Sequence, residues 1–209
     1  MQDRDAAVRR VIEGLELNME FLGITGVEDK LQENVQTTLE SLRNAGIKIW
    51  MLTGDKVATA KCIAISAGLK SVHQPMFTIR GETDALNLQN SLNEFGNRGN
   101  TVLVIDGESI ATALMHHRKF FFEVSSQAPA VVCCRCSPTQ KAIITECIKY
   151  YTKSKTCGVG DGGNDVGMIQ AADIGIGIVG KEGKQAALAS DFSILKFEAL
   201  KKLLLWHGR

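Results

Sequence analysis

The stretch "GVGDGGNDVGMIQ", residues 158–170, decides the fold and points to a site. Asp161 follows an apolar segment, two glycines then expose the backbone, and Asn164 and Asp165 open a helix-like pattern. A turn that only reverses the chain has little use for two carboxylates and an amide. Mg²⁺ prefers oxygen ligands and is usually held by one or two carboxylates together with phosphates and water. The stretch therefore predicts a magnesium and phosphate site; the alternative is an acidic turn whose side chains cap a helix.

Short apolar segments alternate with helical patterns along the rest of the chain, which implies right-handed crossovers and a mostly parallel sheet. The sequence predicts an α/β fold with a Rossmann-like, doubly wound sheet, in one domain over residues 1–209. Residues 71–100 are expected to be a peripheral insertion with one helix. The predicted strands are 17–25, 47–52, 101–106, 130–135, 156–160 and 173–179, and the predicted helices are 31–46, 55–69, 107–127, 137–153, 165–172 and 197–208.

The motif "MLTGD", residues 51–55, lies at the end of a predicted strand, where ligands of such sheets gather. Gly54 allows a tight turn after Thr53, and Asp55 is placed to cap the next helix. A hydroxyl group and free amides at a helix N-terminus suit a phosphate oxygen. An ordinary helix cap explains the motif equally well.

The motif "CRCSPTQK", residues 134–141, predicts a helix that begins at Pro138. Lys141 then falls in the first turn, where an ammonium group opposes the helix dipole. The unfavourable interaction with the dipole indicates that the Lys141 ammonium group reaches an anion. The alternative is a solvated surface lysine. Arg135 follows the preceding strand at the same edge of the sheet.

Other patterns point away from competing chemistries. "GIGIVG", residues 175–180, matches a dinucleotide fingerprint, but its glycines lie inside a predicted strand rather than in a turn before a helix. Read as a P-loop through Lys181, the stretch has Glu182 where a Ser or Thr is needed. Cys133, Cys134 and Cys136 lack zinc-site spacing and favour buried, reduced thiols.

The composition is that of an ordinary globular chain, with 209 residues, 44% hydrophobic and 22% charged. A net charge of +1 argues against a partner bound by bulk electrostatics, such as nucleic acid. No apolar run is long enough to span a bilayer, and no signal-peptide pattern is present. No G-x-S-x-G elbow supports a serine hydrolase.

Taken in order, "LTGDK" (52–56), "CRCSPTQK" (134–141) and "GDGGNDVGMIQAADIGIGIVGKEGKQA" (160–186) resemble the phosphorylation domain of P-type ATPases, which has a haloacid-dehalogenase-like fold. "GVEDKLQ" (26–32) is similar to the segment that leads into it. "GGNDVGMIQAADIGIGI", "GKEGKQA", "ASDFSI" and the closing "HGR" resemble the phospholipid-flippase (type IV) branch, whereas cation pumps carry G-D-G-V-N-D-A-P-A-L. The resemblance covers nearly the whole chain except residues 71–100.

The resemblance implies a site that uses Mg²⁺ as cofactor and ATP as substrate. Thr53 and Lys141 would bind the transferred phosphoryl group, and the 161–165 loop would hold the phosphate and metal. The implied catalytic residues are Thr53, Lys141, Asp161, Asn164 and Asp165, with Asp161 and Asp165 at the metal. The implied nucleotide-binding residues are Asp29, Thr53, Gly54, Asp55, Arg135, Lys141, Asn164 and Asp165.

One departure from the family is large: the sequence contains no D-K-T-G-T motif, which carries the family's nucleophilic Asp. We therefore expect a fragment, the second half of a phosphorylation domain, that lacks the nucleophile-bearing strand and is inactive alone. The nucleotide-binding domain and the membrane spans are also expected to lie outside it. The segment 17–25 is the nearest apolar candidate to fill the missing place in the sheet, either within the same chain or swapped from a neighbouring molecule.

The function expected from the resemblance is that of an ATP-driven phospholipid translocase that forms and hydrolyses an aspartyl phosphate. The fragment would lie on the cytosolic face of an integral membrane protein, and absent regions would contact the phospholipid and an accessory subunit. The alternatives are a soluble haloacid-dehalogenase-type phosphatase and a non-catalytic module that binds phosphate or a partner. An upstream D-K-T-G-T motif and membrane spans in a longer reading frame would favour the translocase.

Overall fold

The computed structural model describes residues 4–26, 30–71, 73–180 and 184–208. The chain forms two units, residues 1–30 and 31–209, where the sequence predicted one domain. In the first unit, helix α1 spans Arg4–Leu15. Residues 17–25 form no strand, and Leu22 and Ile24 are about nine-tenths exposed. The strand predicted there was therefore wrong within this chain, because alternating apolar residues become a strand only beside a partner strand. Its exchange with a neighbouring molecule stays a prediction.

The second unit alternates strands and helices, which confirms the α/β fold. The predicted helix 107–127 is interrupted at His117, which separates two helices. The elements are α2 (Val35–Asn44), β1 (Ile49–Leu52), α3 (Val57–Ser66), β2 (Met76–Ile79), α4 (Ala85–Gly96), β3 (Val102–Asp106), α5 (Gly107–His116), α6 (Arg118–Ser125), β4 (Ala130–Cys134), α7 (Pro138–Thr152), β5 (Cys157–Gly160), α8 (Val166–Ala171), β6 (Ile174–Ile178), α9 (Gln185–Ala189), β7 (Phe192–Ile194) and α10 (Ala199–Leu205).

Two parallel sheets take the place of the single expected sheet. Four strands pair in the order β1-β4-β3-β2, and three pair in the order β5-β6-β7. All five pairings among the described residues are parallel. In the part of the chain that the structure describes, β1 pairs only with β4 and β5 only with β6. The strands that end beside Thr53 and Asp161 are thus both edge strands in the described part of the chain.

The hydrophobic core lies on both faces of the four-stranded sheet. Leu103 and Ile105 of β3 face one cluster, which contains Phe121 and Phe122 from α6. Val102 and Val104 alternate with them and belong to the opposite cluster, formed with α2 and α3. Because successive side chains of a strand point to opposite faces, both faces of this sheet are covered by helices. Because the four strands are parallel, their carboxyl ends all lie at the same end of the sheet.

The stretch 71–100 is not peripheral. Its strand β2 pairs with β3 at the edge of the four-stranded sheet. The predicted helix is present as α4, and its Leu88, Leu92 and Phe95 are buried in the core. The strand was missed because it has only four residues, which is too short for a periodic pattern to show in the sequence.

The glycines of "GIGIVG" allow helices to pack closely on β6. A Cβ atom at Gly175 would lie 2.6 Å from Ile169 Cγ2, and one at Gly177 would lie 2.5 Å from Ala187 Cα and 2.6 Å from Ala187 N. Both residues are buried within the strand and not in a phosphate-binding turn. They serve helix–strand packing, and Gly177 in particular determines where α9 lies.

A pair of glycine substitutions tests this packing. We expect Gly177→Ala to lower the free energy of unfolding by about 1–3 kcal/mol, since the new methyl group meets backbone that cannot rotate away. Gly167→Ala is the matched control: it lies in α8, where a Cβ atom would make an ordinary 3.5 Å contact with Ala142. Replacing a helical glycine by alanine should raise stability by up to about 1 kcal/mol. Urea denaturation measures both values, and equal stabilities would contradict the packing assigned to Gly177.

Candidate phosphate and magnesium site

The turn after β1 is organised by Thr53. Its hydroxyl group donates to Asp55 Oδ2 at 2.7 Å and accepts from the Asp55 backbone N–H at 3.1 Å. Asp55 does not cap α3 as predicted, since the N-cap residue is Lys56 and no side chain caps this helix. The helix begins two residues later than expected, which leaves the Asp55 carboxylate to the Thr53 hydroxyl.

Backbone hydrogen bonds join this turn to the turn after β4. The Cys136 N–H donates to Thr53 O, and the Arg135 N–H donates to Asp55 O, both at 2.9 Å. Arg135 has φ +51°, a left-handed conformation that non-glycine residues rarely adopt. The Arg135 side chain and Gly54 are exposed at this point. The predicted residues Thr53, Gly54, Asp55 and Arg135 therefore lie together at the carboxyl ends of β1 and β4.

Lys141 is placed by a capping box at the start of α7. Ser137 accepts from the Gln140 N–H, and the Gln140 side chain accepts from the Ser137 N–H, with Pro138 in the first helical turn. This geometry leaves Lys141 only 4% exposed, with its Nζ 2.7 Å from Asp165 Oδ1. The anion that the sequence required for Lys141 is, in the structure, the Asp165 carboxylate.

Asp165 also organises the glycine-rich loop after β5. Its Oδ2 accepts from the Asp161 N–H at 3.3 Å, and its own N–H donates to Gly162 O at 3.1 Å. A Cβ atom at Gly160 would collide with the Asp165 side chain. The loop thus turns around a buried carboxylate, and Gly160 has no side chain because Asp165 occupies that space.

Asp161 and Asn164 remain accessible at the surface of this loop. Neither side chain makes a hydrogen bond to another group within the described ranges. Asn164 Oδ1 lies over Gly162, 2.5 Å from where a Cβ atom would be. The loop therefore presents one carboxylate and one carboxamide that are both available to a ligand.

The structure links Lys141, Asp165 and Asp161 directly, and Thr53 indirectly through the backbone before α7. Asp29 lies outside the described residues. A cavity of about 710 Å³ lies elsewhere, between α2 and the segment that includes α10, and none of the predicted site residues lines it. The site itself is open to solvent, since Gly54, Arg135, Asp161 and Asn164 are all exposed.

The residues present fit a magnesium ion held by few protein ligands. Among the described residues, no three His, Cys, Asp or Glu side chains converge as a metal cluster. Mg²⁺ does not require one, because it keeps several waters and accepts one or two carboxylates. The exposed, unbonded Asp161 carboxylate suits this role. Both Asp165 oxygens are already bonded, so direct ligation by Asp165 stays a prediction.

Three buried thiols lie beneath the turn at Arg135. A hydrogen bond with Cys133 lowers the pKa of Cys136, the charge of Lys141 acts in the same direction, and burial opposes both. The same hydrogen bond, together with burial, raises the pKa of Cys133. Burial raises the pKa of Cys134 to about 12. All three are free thiols that fill the core under the site.

The family model for haloacid dehalogenase-like hydrolases matches residues 2–109, just over half of the chain. The chain belongs to this family. The predicted resemblance to phospholipid-transporting ATPases is confirmed by relatives that match over the whole chain or nearly so. Probable phospholipid-transporting ATPase IIB of Homo sapiens is 54% identical over 209 residues, which are all of this chain and 18% of the relative.

Two further relatives have similar coverage. Phospholipid-transporting ATPase NEO1 of Saccharomyces cerevisiae is 53% identical over 210 residues, covering 100% of this chain and 18% of its own. Phospholipid-transporting ATPase 2 of Arabidopsis thaliana is 43% identical over 217 residues, covering 99% of this chain and 19% of its own. The chain thus spans about a fifth of the length of these haloacid dehalogenase-like relatives. Within the described residues, no helix is both long and apolar enough to cross a membrane.

The buried ion pair yields a stability prediction. Lys141→Met should lower the free energy of unfolding by about 3–5 kcal/mol, because the Asp165 carboxylate stays buried without a partner. The double variant Lys141→Met/Asp165→Leu should lower the free energy of unfolding by less than Lys141→Met alone does, since it leaves no unpaired charge buried. Lys155→Met, which removes an 89% exposed partner of Asp173, should change stability by less than about 1 kcal/mol. Denaturant titrations would contradict the assignment if Lys141→Met and Lys155→Met were equally mild.

Proposed function

We propose that this chain is the part of the phosphorylation domain of a phospholipid-transporting P-type ATPase that binds Mg²⁺ and the transferred phosphoryl group. The observation that carries the proposal is the buried Lys141–Asp165 pair, which holds the 161–165 loop so that the Asp161 carboxylate remains free. Support also comes from the relatives, which are named as phospholipid-transporting ATPases. In the whole protein this domain would lie on the cytosolic side.

The roles proposed for the site residues follow from their surroundings. Asp161 and, as a second candidate, Asp165 would hold the metal, which when bound supplies positive charge against the charge of the phosphoryl group. Lys141 would offset phosphoryl charge as well. Its ammonium group has three donors, so one can remain on Asp165 while another turns to a phosphate oxygen.

Thr53 and Asn164 would orient the phosphoryl group from two sides. The Thr53 hydroxyl donates to Asp55 in this structure and can donate to a phosphate oxygen instead by rotation about its C–O bond. The Asn164 carboxamide has no partner in the described part of the chain and can donate without breaking a bond. Phosphoryl transfer requires mainly such positioning and charge stabilisation.

The nucleotide would approach from the turns after β1 and β4. Gly54 and Arg135 are exposed there, and an Arg side chain suits phosphate or a planar base. Asp55 is half-buried between them. Asp29 is proposed to contact the nucleotide, on the basis of the resemblance alone.

The acceptor of the phosphoryl group is proposed to lie outside these 209 residues. The sequence has no D-K-T-G-T motif, and Asp161 and Asp165 are poor nucleophiles when one binds metal and the other binds Lys141. A soluble phosphatase would need the same missing nucleophile. The whole-chain identity of 43–54% to much longer phospholipid-transporting ATPases favours the translocase over that phosphatase and over a non-catalytic binding module.

A chimera tests the role of Asp161. This chain would replace the matching segment of the Saccharomyces cerevisiae relative, to which it is 53% identical. Asp161→Asn should lower Mg²⁺-dependent ATP hydrolysis of the purified chimera on the order of 100-fold or more, since a metal ligand and its charge are lost. Glu146→Gln is the matched control, because it removes one negative charge from an exposed position on α7. Hydrolysis above half of the parent rate at saturating Mg²⁺ would overturn the assignment.

The isolated chain should form no acid-stable phosphoenzyme from ATP at any Mg²⁺ concentration. The measurement is incubation with γ-labelled ATP, acid quench and gel analysis, with the chimera as positive control. Mg²⁺-dependent binding of inorganic phosphate should survive with a dissociation constant of about 1 mM, which corresponds to about 4 kcal/mol. A label on the isolated chain that hydroxylamine removes would show that the nucleophile lies within it.

A further inference from the structure

The carboxamide of Gln185 lies on the loop proposed to bind magnesium and phosphate. Its Oε1 lies so close to Gly163 that a Cβ atom on that residue would collide with it, while its Nε2 is 4.0 Å from the position of such a Cβ atom. Gln185 is the first residue of α9, and its side chain is exposed. Within the described ranges the carboxamide makes no hydrogen bond to another group. An exposed amide that is held against a loop without a partner is available to a ligand of that loop.

Two glycines make this arrangement possible. Gly177 lets the backbone of α9 approach β6, where any side chain would collide with Ala187. Gly163 then leaves room for the Gln185 carboxamide on the loop itself. Because α9 is held by backbone contacts on β6, Gln185 reaches the loop from a fixed support.

Gln185 and Asn164 form a pair with the same chemistry. The Asn164 amide oxygen lies over Gly162, as the Gln185 amide oxygen lies over Gly163. Each amide thereby directs its oxygen toward the loop backbone and leaves an NH₂ group unpartnered among the described residues. Two such donors beside the Asp161 carboxylate suit a bound phosphate, whose oxygens accept hydrogen bonds.

We propose that Gln185 is a further phosphate-binding residue of this site, in which Nε2 donates a hydrogen bond to a phosphate oxygen while Oε1 rests against Gly163. This inference rests on the proposed function and adds a donor from α9, whose first residue, Gln185, lies twenty residues beyond Asp165. Gln185 belongs to the motif "GKEGKQA", but its proximity to Gly163 is visible only in the fold.

The experiment is a ¹⁵N NMR titration of the 209-residue chain with inorganic phosphate at fixed pH and ionic strength, in saturating Mg²⁺. We expect the side-chain NH₂ signals of Gln185 to shift in step with the backbone signals of Gly162 and Gly163. The NH₂ signals of Gln170, an exposed residue of α8, serve as the internal control and should stay in place. Gln185 signals that do not move while the glycine signals do would overturn the proposal.

Three variants separate donation from packing. Gln185→Ala should weaken phosphate binding on the order of tenfold, as loss of a donor to an anion predicts. Gln185→Glu, almost identical in shape, should weaken it more, without weakening the binding of Mg²⁺ measured alone. Gly163→Ala should displace the flexible Gln185 side chain, so its effect and that of Gln185→Ala should not add in the double variant.

The outcomes distinguish this inference from the function on which it rests. If the unchanged chain shows no Mg²⁺-dependent phosphate binding, the proposed function fails and Gln185 loses its role with it. If the unchanged chain binds phosphate and Gln185→Glu binds as tightly as Gln170→Glu, only the Gln185 assignment fails. If Gln185→Glu bound phosphate more tightly than Gln185→Ala, the side chain would act through packing. The proposed hydrogen bond from Nε2 to phosphate would then be overturned.

Discussion

The buried ion pair between Lys141 and Asp165 is the constraint on which the site depends. Lys141 lies in the first turn of α7, which follows β4 of the four-stranded sheet. Asp165 lies on the loop that follows β5, an edge strand of the three-stranded sheet. Taking two charges out of water is costly, so each is tolerated only while the other is in place. The pair therefore holds the loop of one sheet to the helix of the other. With the Asp165 oxygens occupied, Asp161 is left as the free carboxylate.

Local features of the sequence supply the geometry that the pair needs. The capping box at Ser137 fixes where α7 begins and hence where Lys141 points. Gly160 vacates the space taken by the Asp165 side chain. These requirements explain why glycines are dense between residues 158 and 177: several mark positions where another group comes closer to the backbone than a side chain would allow. Their spacing resembles a dinucleotide fingerprint because close packing on a strand also demands alternate glycines.

Much of this could be predicted from the sequence where burial is strong and local. The strands at 101–106 and 130–135 are continuous apolar runs buried on both faces, and the structure confirms them. The segment 17–25 has an alternating apolar pattern but pairs with no strand among the described residues, and a single sequence does not reveal which strands find partners. Likewise, the position of Lys141 indicated an anion, but only the fold identifies Asp165. The correct predictions depend on local apolar patterns. The missed ones depend on pairing between residues that are far apart in the sequence.

β1 lies at one edge of the four-stranded sheet, and β5 lies at one edge of the three-stranded sheet. β1 is only partly buried along its length, although Trp50 and Leu52 pack against the core, whereas β3 and β4 are buried throughout. Unpaired edges of this kind readily accept another strand. A strand that paired with both β1 and β5 would place them about 10 Å apart, twice the spacing of neighbouring strands. Thr53 and Asp161, just past the carboxyl ends of β1 and β5, would then lie on either side of that strand's own end. A nucleophile supplied there would stand between the Thr53 hydroxyl group and the carboxylate proposed to bind Mg²⁺, so that both groups could help to position a phosphoryl group and stabilise its charge.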